Sequence, residues 1–505
     1  MSDGGRWRAE TARGVVKRIV VEGLLTLETP AHLGGGDGDN LTDMPLLTDA
    51  EGGPLLMGTS LTGALRAYLR QREHGWRVAE QDSFASARLF GGLRRDDDGE
   101  QSPVVVEDSY GEAPDGGIET RYGNRMDARS RTTVQNALYD MDLWEAGTVF
   151  PLRVEILVLA PDREGSVPEA EMRQALGTAL SGLHPGDGGI RLGARGRRGF
   201  GCVRSGGWLI REYDLRTVAG LFGWLREGAE DRPASVSAHS SVLDALGTTE
   251  IADARKLLTI EAEFLLTDES QGGRAGSLLI RSGGVAGDRG PDMISLHTRA
   301  AGGGREPALP GTTLGGVLAA RSRRIIATIL AGQAAPVMLC DDLFGPDPAG
   351  GAPPRAGRIS VDERLIRDGR TDLVQTRNSI DRFTSGTLPT ALFQEQPVFA
   401  RAGGTTAYLS LQLEDAQGYE CGLLLNLLKD LWTSDLTVGG EAGVGRGRLM
   451  GQRAKITYAP GGAARRVWEI RRATEGGSEL QFIGSPAELE AWNDQLWEHL
   501  GGPQA

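Results

Sequence analysis

The same ordered set of short motifs occurs twice in this chain, and this internal repeat is the feature that most constrains its fold. The segment GTSLTGAL at residues 58–65 recurs as GTTLGGVL at residues 311–318. Upstream of each segment, at equal spacing from a Gly-Gly pair, stands an aspartate, Asp43 in one copy and Asp292 in the other. An internal repeat of this length indicates two homologous domains.

Further matching segments follow both copies in the same order. They are Leu-Phe-Gly at 89–91 and 343–345, an acidic segment at 106–108 and 360–362, Asn-x-x-Asp at 124–127 and 378–381, and a glycine loop at 191–201 and 437–447. This alignment also pairs His32 with Arg281. Six matches in register are not expected by chance, even in a chain with 74 glycines.

Length and charge agree with two domains and leave the partner open. The chain has 505 residues, of which 39% are apolar, enough for about two to four domains with real cores. Its formal net charge of −13 argues against a nucleic-acid partner at long range. A local basic strip can nevertheless bind phosphate, because net charge only weights the distant field.

The cysteines and the apolar segments predict the compartment. Cys202, Cys340 and Cys421 lie far apart and form no Cys-x-x-Cys pair, so neither a zinc ribbon nor a disulfide framework is expected. The first residues lack the apolar core of a signal peptide, and the most apolar stretch, 149–160, is too short to span a bilayer. We therefore predict a soluble cytoplasmic protein without membrane contact.

Hydrophobic periodicity predicts strand, helix, strands, helix and strand in each copy. The predicted elements are a strand at 15–27, a helix capped by Thr59 or Ser60, a strand at 152–159 and a helix at 168–183, then a strand at 257–266 and helices at 313–330 and 418–432. This is the order of ferredoxin-like and RNA-recognition domains. We predict an α+β protein with two tandem ferredoxin-like, RRM-like domains that carry hairpin insertions.

The domain boundaries follow from the repeat and from composition. Residues 1–215 form the first predicted domain, and region 216–256, which holds a short helix and a Pro/Ser/Ala-rich stretch at 232–241, is a predicted linker. Residues 257–505 form the second predicted domain, with a C-terminal strand and an amphipathic helix.

The ordered motifs together resemble the RAMP superfamily of CRISPR effector proteins. They are His-Leu-Gly-Gly-Gly at 32–36, the downstream aspartate, GTSLTGALR at 58–66, Asn-Ser-Ile-Asp-Arg at 378–382 and the closing glycine loops. More narrowly, the chain is similar to backbone subunits of type III complexes, in the fused double form of III-D-like systems. This resemblance implies guide CRISPR RNA, target RNA and other type III effector subunits as partners.

Glycine before a helix leaves free backbone N–H groups, and arginine in a glycine loop offers bidentate donors, so both patterns suit phosphate. The alternatives are a plain helix cap and a tight turn. The predicted RNA contacts are His32, Gly34, Gly35, Ser60, Arg66, Arg125, Arg129, Arg131, Arg195, Arg197 and Arg198 in the first copy, and Arg281, Thr313, Arg377, Arg382, Arg446 and Arg448 in the second.

Asp43 and Asp292 match the loop aspartate that the resemblance implies for metal-dependent cleavage. RNA carries its own nucleophile in the 2′-hydroxyl, so a carboxylate that places Mg²⁺ (or Mn²⁺) or takes a proton is chemically sufficient. An aspartate among Gly, Asn and Thr is otherwise usually a turn residue. We predict both aspartates as catalytic residues and metal ligands.

Two further features keep alternatives open. His32 could contact phosphate, act as a general base in guide processing, or be a structural histidine. The resemblance also implies that segments 121–142 and 377–399 are hairpins that enter the guide–target duplex, with Val134 and Leu388 as candidate wedges.

The sequence thus predicts a metal-dependent, RNA-guided endoribonuclease subunit that works within a larger ribonucleoprotein. A guide-binding scaffold without cleavage is the main alternative, and a guide-processing endoribonuclease is the other.

Overall fold

The structure is a computed structural model of the full chain. It describes residues 14–501 except for 35–42, 93–100, 125, 128–132, 136, 162–165, 187, 228–237, 269–273, 284–289, 331–336, 347–352, 354, 403 and 474–478. No helix in these described parts is both long and apolar enough to cross a membrane.

The first domain is built on an antiparallel four-stranded sheet. Its main elements are β1 (Val15–Leu27), α1 (Gly58–His74), β2 (Val104–Val106), β3 (Val149–Leu159), α2 (Glu169–Ser181) and β4 (Val203–Asp214). The strands lie in the order β2-β3-β1-β4. Both helices pack on the sheet, since the leucines of α1 and α2 share one buried cluster with alternate residues of β1 and β3.

The second domain repeats this arrangement and extends it. Its main elements are β5 (Lys256–Asp268), α3 (Gly311–Ile329), β6 (Ile359–Val361), β7 (Thr406–Glu414), α4 (Gly418–Trp432), β8 (Leu449–Pro460), β9 (Arg466–Arg472), β10 (Leu480–Ile483) and α5 (Pro486–His499). The strand order is β6-β7-β5-β8-β9-β10, so the first four repeat the order of the first domain. Leu489, Trp492 and Leu496 of α5 are buried in the core of this domain.

Shorter elements complete both domains. In the first they are strands Leu55–Leu56 and Ser109–Tyr110, helix Ala85–Phe90 and hairpin strands Ile118–Gly123 and Tyr139–Trp144. In the second they are strands Arg274–Ala275, Ser277–Leu278, Arg281–Gly283, Met293–Ser295, His297–Arg299, Arg305–Leu309, Arg364–Leu365 and Val398–Phe399, helix Val337–Phe344 and hairpin strands Gln375–Ile380 and Thr387–Gln396. The predicted α+β fold with two tandem ferredoxin-like domains and hairpin insertions is confirmed.

The start of the first helix differs from its prediction. Helix α1 begins at Gly58, and the residue before it, Met57, makes no side-chain cap. Thr59 and Ser60 therefore lie within the first turn and are not caps.

Two short helices occupy the region predicted as a linker. Val218–Leu225 follows β4, with Thr217 as its side-chain cap, and Val242–Leu246 comes later. Val242 and Leu246 are buried in the core of the first domain. At least this part of the region therefore packs with the first domain.

Backbone hydrogen bonds fix the correspondence of residues between the repeats. The carbonyl oxygen of His32 accepts from the amide of Ala194, and that of Leu279 accepts from the amide of Gly440, both at 2.9 Å. His32 therefore corresponds to the buried Leu279, and its pairing with Arg281 is wrong.

A second correspondence between the repeats, that of the acidic segments, differs from its prediction by one residue. A Cβ on the first glycine of α1 would collide with the carbonyl oxygen of Val106, and a Cβ on the first glycine of α3 would collide with that of Val361. Segment 106–108 therefore corresponds to 361–363 and not to 360–362. The single-residue error changes which acidic residues are equivalent.

The two domains meet head to tail, because the glycine loop of the first domain (191–201) lies on the second domain. Arg191 donates to Asp362 at 2.5 Å, and Arg197 to Glu414 at 3.0 Å. Burial by itself would lower the pKa of Arg191, but the Asp362 carboxylate raises it above its usual value. We call this contact between the domains the junction.

The base of the first hairpin is also part of the junction. Arg121 binds both oxygens of Glu363 and is itself buried. On the same face, Glu145 is fully buried and forms ion pairs with Arg299 and Arg305 of the second domain. Charged pairs therefore hold the two domains together.

Candidate functional site

The loop that carries Asp43 is bound to the second strand of the first hairpin. The Oδ2 atom of Asp43 accepts a hydrogen bond from the backbone N–H of Asp140 at 3.1 Å. In return, Oδ1 of Asp140 accepts from the backbone N–H of Asp43 at 2.8 Å. The Asp43 side chain is exposed, so two carboxylates stand together at the surface where the hairpin leaves the domain.

Asp292 makes the equivalent contact in the second domain. Its Oδ2 atom accepts from the backbone N–H of Gln394 at 2.7 Å, and the residue is exposed. Gln394 follows Phe393 as Asp140 follows Tyr139, so the two amides come from equivalent positions of the two hairpins. Both predicted catalytic aspartates are thus fixed at the same place in their domains, and the second site has one carboxylate fewer.

These sites could hold a cation only with help from another ligand. The described residues contain no group of three or more His, Cys, Asp or Glu side chains arranged to bind a metal ion. Mg²⁺ often binds proteins through one or two carboxylates and fills its other positions with water and substrate phosphates. An Asp43–Asp140 pair matches that smaller requirement.

The arginines of the first glycine loop face two directions. Arg197 and Arg198 point to the second domain, where the Arg198 guanidinium donates to the carbonyl of Phe344 at 3.3 Å. Burial lowers the pKa of Arg198, and the neighbouring Arg195 lowers it further. Arg195 instead lies over the ring of Tyr139, 4.3 Å from its centre, and its Nη2 atom is 3.8 Å from the sulfur of Met44, the residue after Asp43.

The second glycine loop is neutralised by acidic residues. Glu441 occupies the position of Arg195 and forms ion pairs with Arg281 and Arg377. Arg446 is 4% exposed and pairs with Glu395, which is fully buried. Arg448, just beyond the loop, is half-buried. Three of the predicted RNA contacts of this copy, Arg281, Arg377 and Arg446, therefore already serve as partners of carboxylates.

The predicted phosphate sites at the two helix N-termini are occupied by protein groups. The amide of Gly58 donates to Oδ1 of Asp108 at 2.7 Å, and Gly311 lies against the carbonyl of Arg198. Ser60 is exposed and Thr313 is half-buried in these first turns. Arg66 donates to both oxygens of Glu80 at 3.0 Å.

His32 is inside the first domain. Its side chain is 4% exposed, and Nδ1 lies 2.9 Å from the carbonyl oxygen of Asp142. The adjacent Gly34 lies close to the imidazole, since a Cβ there would be 3.0 Å from Nε2. This placement matches the structural role left open for the histidine and leaves no exposed ring face for phosphate or for a substrate hydroxyl.

The second hairpin has an exposed apolar tip that the sequence prediction missed. Phe383 is 91% exposed in the turn at 381–386, beside the predicted contact Arg382. Oδ1 of Asp381 accepts from the amides of Phe383 and Thr384 and so orders this turn. Leu388, the predicted wedge, lies on the following strand and is 43% exposed. The sequence could have indicated this tip, because it places a large aromatic residue, Phe383, two positions after a turn-forming aspartate, Asp381.

Several predicted residues cannot be placed. Gly35, Arg125, Arg129 and Arg131 lie outside the described residues. Val134, the wedge predicted for the first hairpin, is described and half-buried.

The two-domain fold agrees with the comparisons to known proteins. The profile of the RAMP superfamily matches residues 24–204 and 277–449, one match in each domain. The two matches cover more than half of the chain, which therefore belongs to the RAMP superfamily and carries its domain twice.

A more specific similarity concerns one curated protein, the CRISPR system Cms endoribonuclease Csm3 of Methanocaldococcus jannaschii. The two sequences are 26% identical over 154 residues, which make up 27% of this chain and 62% of that protein. The aligned part is thus shorter than two thirds of the relative.

Proposed function

We propose that this chain is a double backbone subunit of a type III CRISPR effector complex that cleaves target RNA. In this proposal it binds guide CRISPR RNA and cuts complementary RNA at two positions, one beside Asp43 and one beside Asp292. The supporting observation is that both exposed aspartates are held by the equivalent amide of their hairpins. The family and the similarity to Csm3 agree with this function.

The residues at the two positions fit an Mg²⁺ or Mn²⁺ ion shared with RNA. Hard divalent cations prefer oxygen ligands, and one or two carboxylates with a phosphate suffice for Mg²⁺. Asp43 and Asp140 could provide two carboxylates, whereas Asp292 and Gln394 could provide one carboxylate and an amide oxygen. When bound, such an ion would supply positive charge at the phosphate that is cut.

In this proposal the protein groups mainly hold the carboxylate, the phosphate and the bases of the RNA in position. The amide of Asp140 holds the Asp43 carboxylate in one orientation, where it could accept the proton of a neighbouring 2′-hydroxyl or hold the ion. Arg195, stacked on Tyr139 and next to Met44, could bind a nearby phosphate. Phe383, exposed at the tip of the second hairpin, could stack on a base displaced from the duplex.

The two alternatives make different demands on these residues. A guide-processing enzyme would use His32 as a base, but this ring is buried and bonded to the carbonyl of Asp142. A scaffold without cleavage would bind the same RNA and would not need the aspartates. The scaffold is therefore the alternative that the experiment must separate.

The test uses the guide-loaded complex with Asp43→Asn and Asp292→Asn, singly and together. Asparagine keeps an oxygen that can accept the hairpin amide but removes the charge. We expect each single variant to lose one cut of complementary RNA and to keep the other, and EDTA to stop both.

A matched control is Asp372→Asn, which removes the charge of an exposed aspartate elsewhere in the second domain. It should leave the fragment pattern unchanged. If the double variant cuts at the same positions and rate as the unaltered complex while binding RNA equally, the scaffold function is correct.

A further inference from the structure

The head-to-tail junction leaves one unmatched face at each end of the chain. Within the chain, the loop side of the first domain lies on the acceptor side of the second. The acceptor side of the first domain and the loop side of the second domain therefore have no partner within the described chain. Contacts of this heterologous kind can continue from one molecule to the next, provided that the two faces are complementary.

The outer acceptor side retains its acidic residues. Glu107 and Asp108 occupy the positions of Asp362 and Glu363, the two carboxylates that bind arginine at the junction. Both outer carboxylates are exposed. Arg153 donates to Glu107 at 3.0 Å, much as Arg364 donates to Asp362 at 3.3 Å at the junction, so this neighbour does not distinguish the two faces.

The outer loop side has lost the matching cations. Thr437 occupies the position of Arg191 in the glycine loop, and Gln375 that of Arg121 on the hairpin. Phe399 likewise stands in place of the buried Glu145. The face that would have to meet Glu107 and Asp108 in a second copy thus offers no arginine at either position.

The difference decides which partner each face can accept. If two copies joined as the two domains do, Glu107 and Asp108 would lose water without gaining a cation. Burying these carboxylates without a new cationic partner is unfavourable even though Arg153 already binds Glu107, and charges left unmatched across an interface exclude wrong partners effectively. A partner with arginine at both positions would instead reproduce the ion pairs of the junction.

We propose that the outer face of the first domain at Glu107 and Asp108 binds a different RAMP-type protein, whose glycine loop and hairpin carry arginines. A second copy of this chain does not bind there. The chain therefore contributes a single two-domain unit, with its first domain always towards an arginine-bearing neighbour. This proposal depends on the junction and not on RNA cleavage.

The experiment converts the outer loop side into that of the first domain. The variant carries Thr437→Arg and Gln375→Arg together with Glu395→Met and Arg446→Phe, which give room and an apolar floor to the new arginine as Met141 and Phe200 do for Arg121. The purified chain should sediment as a monomer. The fourfold variant should associate head to tail, at least about tenfold more tightly than the unaltered chain, because close charge pairs across an interface couple strongly.

Two controls separate the designed contact from other effects. Glu395→Met with Arg446→Phe alone should remain monomeric and folded. Glu107→Gln and Asp108→Asn, added to the fourfold variant, should return it to monomer. The proposal is overturned if the unaltered chain associates through Glu107 and Asp108, if the fourfold variant stays monomeric while folded, or if its association survives the loss of both acids.

Discussion

The bases of the two hairpins have the same backbone and opposite chemistry. In the first domain Met141 and Phe200 form a small apolar cluster beneath the Tyr139–Trp144 strand. At the equivalent positions the second domain has Glu395 and Arg446, a buried ion pair. One repeat fills the space under the hairpin with hydrocarbon, and the other fills it with charge.

The difference follows from what covers each base. The first hairpin lies in the junction, where Arg121 packs over Phe200 at 5.4 Å and binds the second domain. The second hairpin has no such neighbour in the described chain, and its arginines turn inward to Glu395 and Glu441. Duplicated domains thus keep their backbone while their charges follow the neighbours that each copy meets.

The largest expected effect is on stability when the buried pair is broken. Glu395→Ala leaves Arg446 buried without its main partner, and we expect a loss of about 3 kcal/mol in the free energy of unfolding. The exchange Glu395→Met with Arg446→Phe, which copies the first repeat, should cost far less or stabilise. Glu395 Oε1 and Arg446 Nη1 have no hydrogen-bond partner among the described residues, so the pair is only partly satisfied.

Urea unfolding of both variants measures this difference. Met141→Ala in the first domain gives the comparison for a lost apolar contact. If the single variant and the exchange lose the same free energy of unfolding, the ion pair itself stabilises the second domain and an apolar pair cannot replace it.

The next effect sharpens the comparison of the two aspartate sites. Asp140→Asn should raise the Mg²⁺ concentration needed for the cut that depends on Asp43, by about tenfold or more if a ligand-shell carboxylate is lost. Gln394→Asp should lower the requirement at the other site. Titration of Mg²⁺ with the fragments resolved by size measures both. The idea fails if both cuts keep the same Mg²⁺ dependence in both variants.

The junction should also respond to pH through Asp362. Burial would raise the pKa of Asp362, but Arg191 and Arg364 outweigh it and hold that pKa below its usual value. An acid with a lowered pKa stabilises the fold above the pKa of its unfolded state, about 3.9, and loses this contribution as pH falls through the folded value.

Arg191→Met should therefore destabilise by about 2 kcal/mol near neutral pH, and by much less at acid pH, once the pH has fallen through the lowered pKa of Asp362 and its carboxyl is protonated. Chemical unfolding at a series of pH values measures the difference between variant and parent. Thr437→Met places methionine at the equivalent position of the outer loop, where there is no cation to remove, and should show no such pH dependence. A difference that stays constant with pH would mean that Asp362 is not the partner that matters.

The sequence was sufficient for the fold because its signals are local. Apolar periodicity and repeated glycines placed the strands and helices to within a few residues, although the cap predicted at Thr59 or Ser60 was wrong. The junction could not be predicted in this way, because Arg191 meets Asp362 across 171 positions of the chain. The arginine-rich glycine loop therefore suggested RNA contact or a tight turn and not a contact between domains, although Arg197 and Arg198 face the second domain.

The residues of the candidate site could also be predicted only in part. Asp43 and Asp292 could be named from their recurrence in the repeat and from the family resemblance, and the structure brings each to a hairpin amide. Asp140 was not named, since only the folded hairpin brings it to the loop. The role of His32 depended on its surroundings, and its burial is set by strands that are distant in sequence.

The smallest expected effect concerns RNA binding by the second glycine loop. Glu441 pairs with Arg281, which is 50% exposed, and with Arg377, which is 30% exposed. Glu441→Gln removes this competing anion, so that Arg281 loses the Glu441 carboxylate and Arg377 keeps only its pair with Glu395, and both guanidinium groups can bind phosphate more readily. RNA affinity should rise a few-fold, and the dependence of log K on log salt should steepen by roughly 0.7 for each new contact with a single strand. Arg195→Gln in the first loop should make the dependence of log K on log salt less steep. Arg195 has no acidic partner among the described residues and stacks on Tyr139, so its guanidinium is available to phosphate. Filter binding at several salt concentrations measures the slope for both variants. If Glu441→Gln leaves the slope unchanged while the fold is intact, the arginines of the second repeat serve the protein and not the RNA.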